Sequence, residues 1–149
     1  MKGLRIFLSR AQRQLRLPAD SVTVCFVTDA EIAYWNRAYR RKRGPTDVLS
    51  FPTHGERMKR GPRRSSKQTN ALLSTPLPSH DGSQGYVGDI AIAPAVAKRN
   101  ARRFGHKLGD ELRALILHGL LHLVGYDHET DTGQMDRRER QLRRTLGLA

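Results

Sequence analysis

Cysteine is nearly absent from this chain: Cys25 is the only one in 149 residues. A lone thiol cannot close an intrachain disulfide and cannot build a cysteine-based zinc site, so both of those frameworks are excluded. Cys25 lies in the apolar run Val22, Val24, Phe26 with no basic neighbour beside it, which reads as a buried, inert thiol rather than a nucleophile. Acidic residues are also scarce, 14 Asp and Glu against 27 Lys and Arg, for a net charge of +13. A surplus of that size attracts polyanions, of which nucleic acid is the commonest. A basic protein that binds beside the ribosome and cuts nothing would share this composition. Long apolar runs are missing too, so no stretch reads as a membrane span. The first residues, MKGLRIFLSRAQRQLRL, scatter charge among their apolar positions and offer no small-residue cleavage site, unlike a signal peptide. The expectation is a cytoplasmic protein with no membrane partner.

What is present suffices for one domain. A chain of 149 residues with 38% apolar content can bury a single core, and not comfortably two. Leu4, Phe7, Leu8, Ala11 and Leu15 fall at helical spacing, and Pro18 closes that segment. Residues 21–27 (SVTVCFV) are β-branched and apolar, as in a buried strand. Thr28-Asp29-Ala30-Glu31 has the form of a capping box, opening a second helix that buries Ile32, Trp35 and Tyr39. Gly44-Pro45 is expected to break it, and Val48–Phe51 to form a short strand. Residues 53–84 are rich in Gly, Pro, Ser, Arg and Lys and have no periodicity, so they are expected to be a mobile basic insertion. Strand character resumes at 86–92. Pro94 suits the first turn of a helix running to Gly105, and Asp110 is expected to start another that ends at Gly125. A charged last helix covers roughly 132–146, with Met135, Leu142 and Leu146 on its apolar side. No internal repeat is visible.

The chemistry concentrates in His118-Gly-Leu-Leu-His122-Leu-Val-Gly125-Tyr-Asp-His128. Two histidines four apart on a helix stand one above the other, with Cβ atoms about 5–6 Å apart. That is how a helix offers two imidazoles to one metal ion. Gly125 falls where the helix should stop, and glycine there can turn the chain sharply. The returning chain can then bring His128 to the same ion. Three neutral imidazoles leave a tetrahedral metal one open position, the pattern of a catalytic site. Nickel, cobalt or copper would suit the same donors as well as zinc.

This spacing reproduces the H-E-x-x-H-x-x-G-x-x-H pattern of the metzincin proteases at every histidine and at the glycine. The glutamate that serves those enzymes as general base is replaced here by Gly119. The ligands are present and the peptidase base is not, so a metalloprotease is the weakest of the metal-site readings.

The run HGLLHLVGYDH resembles the signature of the YbeY family, metal-dependent endoribonucleases of bacterial ribosomal RNA maturation. The segment from Tyr39 and Arg40 through Pro45, Thr46 and Asp47 to Phe51 and Pro52 resembles that family's second motif, and Gly88-Asp89-Ile90 its third. The order of helices and strands is also similar, except for residues 53–84. The resemblance implies an α+β fold, a single domain of helices packed around a short mixed β-sheet, with a zincin-like metal site. It implies one zinc ion held by His118, His122 and His128, and it places Arg40 where the family has an arginine important for RNA cleavage.

Zinc can lower the pKa of bound water from about 15.7 to about 7 and can polarise a phosphoryl oxygen. A guanidinium can bond two oxygens of a phosphate in attack, which suits Arg40 to the scissile group. Asp127 and Asp89 are weaker candidates, as partners of a histidine or a backbone amide. His54, His80 and His106 read as surface residues, and Met135 as core rather than as the methionine turn of a metzincin. The expected activity is zinc-dependent cleavage of single-stranded RNA, acting on ribosomal RNA precursors in ribosome maturation and quality control. Small-subunit ribosomal proteins are further expected partners. The alternative is an RNA-binding ribosome assembly factor whose hydrolysis is weak or incidental.

Overall fold

The structure, a computed structural model, describes residues 2–53, 86–126 and 132–148. The expected insertion therefore lies, past Thr53, outside the described residues, as do Asp127 and His128. The described segments on either side are joined: the Thr53 amide donates to the Val87 carbonyl at 3.0 Å, and its hydroxyl to the Tyr86 carbonyl at 2.6 Å.

Helix α1 (Lys2–Gln14) buries Phe7 and Ala11 on the face its sequence periodicity marks. Strand β1 (Val22–Phe26) follows, then helix α2 (Asp29–Arg40). The Thr28 hydroxyl accepts the Glu31 amide at 3.1 Å, which forms the Thr28 half of the expected capping box. The other end differs from expectation. The helix stops at Arg40, with Arg41 left-handed at φ 55°, ahead of the Gly44-Pro45 pair. Buried Asn36 explains the early stop. Its side-chain amide donates to the Gly44 carbonyl at 3.0 Å, folding residues 41–44 back over the last turn.

Strands β2 (Val48–Pro52) and β3 (Gly88–Ile92) complete one mixed sheet in the order β1-β3-β2. The central β3 runs parallel to β1 and antiparallel to β2. Its side chains alternate between two cores. Ile90 and Ile92 enter the larger one with α1 and the later helices, while Ala91 enters a smaller one with Ile32 and Trp35 of α2. Helix α2 thus packs on one face of the sheet and α1 on the other.

Helix α3 (Pro94–Phe104) starts at its proline and ends on Gly105, as its sequence indicates. Helix α4 (Leu108–Leu123) begins two residues before Asp110, which sits in the first turn with Glu111. Carboxylates are favoured there by the helix dipole, which is why the acidic pair marks the start without capping it. Eight residues of α4 are buried, including Leu117, Leu120 and Leu121. Each fully buried Leu or Ile contributes about 1.5–3 kcal/mol. This central helix is consequently the most firmly seated element available to carry a site. Helix α5 (Gln134–Leu146) packs Met135, Leu142 and Leu146 into the same core. The fold class is the expected α+β arrangement. No helix among the described residues is long and apolar enough to cross a membrane.

Candidate metal centre

His118 and His122 stand one turn apart on α4, and their rings meet edge to face with centroids 4.6 Å apart. Their Nε2 atoms face each other at 3.1 Å. The Nδ1 atoms point away, each toward an acceptor. His122 Nδ1 lies 3.0 Å from the carbonyl oxygen of Tyr126. A carbonyl only accepts, so this contact puts the proton on Nδ1 and the lone pair on Nε2. The carbonyl is in place because the chain reverses at Gly125, where φ is +104° and the Tyr126 amide caps the Leu121 carbonyl at 3.0 Å. The turn expected at Gly125 is therefore present, and it orients a ring as well as ending a helix.

His118 Nδ1 faces a carboxylate instead, 3.6 Å from Glu139 Oε2 on α5. That is ion-pair distance, longer than a hydrogen bond. Arg143 holds the same carboxylate from one turn further along, through Nε at 3.2 Å and Nη2 at 3.0 Å to Oε1. The Glu139 carboxyl is held below the usual carboxylate range, chiefly by His118 and with help from Arg143, against the opposing effect of burial. Sequence reading missed this residue.

The donor geometry fits a metal ion. Two imidazole lone pairs at this separation repel unless a cation or a proton lies between them. A tetrahedral zinc with Zn–N bonds of about 2.0–2.1 Å sets its ligand nitrogens about 3.3–3.4 Å apart. The observed 3.1 Å is within a few tenths of an ångström of that. His128, the third expected ligand, lies outside the described residues. Among the described residues no group of three His, Cys, Asp or Glu side chains is placed to hold a metal.

Gly119 faces the sheet. A Cβ there would come within 2.9 Å of Ile90 Cγ2, while its carbonyl accepts the Ser50 hydroxyl at 3.1 Å. The position that carries a general base in metzincins is thus occupied by the packing of α4 on β3 and β2.

Arg40 is exposed at the end of α2, across the sheet from α4. Among the described residues no hydrogen bond or ion pair joins it to either histidine. The link runs through β2, an edge strand. Phe51 meets Tyr39 edge-on at 5.3 Å on one face, and Ser50 reaches Gly119 on the other. Asp89 accepts a hydrogen bond from the Tyr86 hydroxyl, a partner the sequence did not disclose. Burial and this bond push the Tyr86 phenol well above its ordinary range. His106 is exposed and Met135 fully buried, as expected, while His54 and His80 lie outside the described residues.

Comparison with known proteins gives a consistent result. A family model described as Endoribonuclease YbeY matches residues 2–147. Endoribonuclease YbeY of Koribacter versatilis is 37% identical over 147 residues, covering 99% of this chain and 78% of that protein. The same-named protein of Nautilia profundicola is 38% identical over 132 residues, covering 89% and 76%. A Thermotoga maritima protein solved in solution superposes with a TM-score of 0.55 at 27% identity, covering 97% of this chain and 79% of its own.

Proposed function

The chain belongs to the YbeY family of endoribonucleases, and from that premise we propose that it is a zinc-dependent, single-strand-specific endoribonuclease of ribosomal RNA maturation and ribosome quality control. RNA hydrolysis follows from the family. Zinc, the ligand set, the role of Arg40 and the preference for unpaired RNA belong to the proposal.

The observation that carries it is the pair of Nε2 atoms at 3.1 Å whose Nδ1 atoms are directed to Tyr126 and Glu139. In this reading His118 and His122 bind through Nε2, and His128 supplies the third nitrogen. When bound, zinc supplies a Lewis acid for the phosphate and activates water. The Tyr126 carbonyl keeps His122 in the tautomer that presents its lone pair. The Arg40 guanidinium binds the non-bridging oxygens of the scissile phosphate, where charge grows during attack. Gly119 contributes no carboxylate, which sets this site apart from a peptidase. The surplus of basic residues attracts the RNA backbone, and an unpaired strand lets one phosphate approach the metal without melting a duplex.

The test is cleavage of fluorescently labelled single-stranded and duplex RNA by the zinc-loaded protein and by Arg40→Ala. The single strand should be cut by the parent, and the variant should lose on the order of a hundredfold or more in rate with unchanged zinc content. Cleavage retained by Arg40→Ala would remove that residue from the mechanism. RNA bound but left whole by the parent would favour the assembly-factor alternative.

A further inference from the structure

Helix α5 repeats its buried side chains at Met135, Leu142 and Leu146. Glu139 falls on the same stripe, four residues after Met135 and three before Leu142. A carboxylate at an apolar position of a packed helix is costly unless it is paired and hydrogen-bonded. Its side chain is only 16% exposed, and the pairing is of two kinds. Arg143 donates twice to Oε1, a bond an exposed i, i+4 pair could make without any burial. His118 faces Oε2, and only that contact requires the carboxylate to point inward, toward α4.

We propose that Glu139, braced by Arg143, is a positioning residue for the metal centre: it keeps the His118 proton on Nδ1 and so presents Nε2 to the metal. The proposal rests on the metal-site reading above, but its first consequence is visible without metal. The two histidines are then oriented by different means. His122 takes its direction from a backbone carbonyl made available by a glycine turn, and His118 from a carboxylate on another helix. A carboxylate behind a metal-bound imidazole also makes that nitrogen a stronger donor, and losing such a partner typically weakens metal affinity 10–100-fold. Because Glu139 lies on α5, the seating of that helix is tied to the competence of the site.

Two measurements on the full chain test this. Long-range proton–nitrogen NMR correlations on the metal-free protein report which ring nitrogen of His118 carries the proton. The parent should show Nδ1 protonated. Glu139→Ala should lose it, and Glu139→Gln should retain it, because its side-chain carbonyl still turns a lone pair toward Nδ1. Zinc affinity, measured by competition with a chromophoric chelator, should fall about 10–100-fold in Glu139→Ala and by less in Glu139→Gln. An unchanged His118 tautomer in Glu139→Ala would overturn the proposal. So would equal loss of affinity in both variants accompanied by equal loss of unfolding midpoint, which is what a purely structural role produces. A parent protein that fails to bind zinc while Glu139 still sets the tautomer would overturn the metal-site reading instead.

Discussion

Replacing Gly119 with alanine tests the seam between α4 and β3. The added methyl would sit 2.9 Å from Ile90 Cγ2, 3.0 Å from Cδ1 and 3.2 Å from Cγ1. Ile90 cannot easily recoil, because it is fully buried on the central strand with partners on both sides. Overpacking of this kind costs roughly 1–3 kcal/mol. Alanine in place of helical glycine returns about 1 kcal/mol. The net effect should therefore lie between about zero and roughly 2 kcal/mol of destabilisation. Ile90→Ala removes all three clashing atoms and by itself costs about 2–5 kcal/mol. In that background Gly119→Ala keeps its helix gain and adds about 0.8 kcal/mol of methyl burial, so it should stabilise by about 1–2 kcal/mol. The two backgrounds should differ by roughly 1–4 kcal/mol, read from urea unfolding of the metal-free protein followed by circular dichroism. An equal gain in both backgrounds would refute close packing at Gly119.

Gly125→Ala forces a side chain into positive φ, at a cost of about 1–2 kcal/mol, and displaces the Tyr126 carbonyl from His122. Both the unfolding midpoint and the zinc affinity should drop, and unchanged affinity would mean that the turn does not orient His122. Binding of single-stranded RNA should weaken with salt, with a log–log slope of about −0.7 for each phosphate neutralised. An affinity insensitive to salt between dilute and physiological buffer would contradict charge-guided binding.

Much of the fold is written in local patterns. The 3.6-residue spacing of Phe7 and Ala11, the cap at Thr28, the proline of α3 and the buried thiol of Cys25 were all legible. So were the histidine pair and the turn at Gly125. The sheet order was not, because the parallel pairing of β1 with β3 spans more than sixty residues and no local pattern encodes which strand takes the centre. The stop at Arg40 was missed because Gly44-Pro45 is the conventional breaker signal, whereas the lock is a side-chain bond from buried Asn36 to the Gly44 carbonyl, which no periodicity announces. The Tyr126 carbonyl is a backbone group, and no side-chain pattern announces it.

Glu139 is different, since its signal was present. It stands on the Met135–Leu142–Leu146 stripe, but in a helix as charged as α5 a single carboxylate does not stand out from the residues around it. A charge at a stripe position of a helix that must pack is a sign of a buried partner. Here the partner is His118, sixteen positions before α5 begins.

The most direct test of the metal centre is metal content by mass spectrometry on native protein, on His118→Ala and on His122→Ala, each also incubated with labelled single-stranded RNA. About one zinc per chain is expected in the native protein, with metal and cleavage lost together in both variants. A native protein that remains free of metal after reconstitution with zinc, yet still cuts RNA, would contradict it: the two Nε2 atoms would then face each other across a proton, and the chemistry would lie elsewhere.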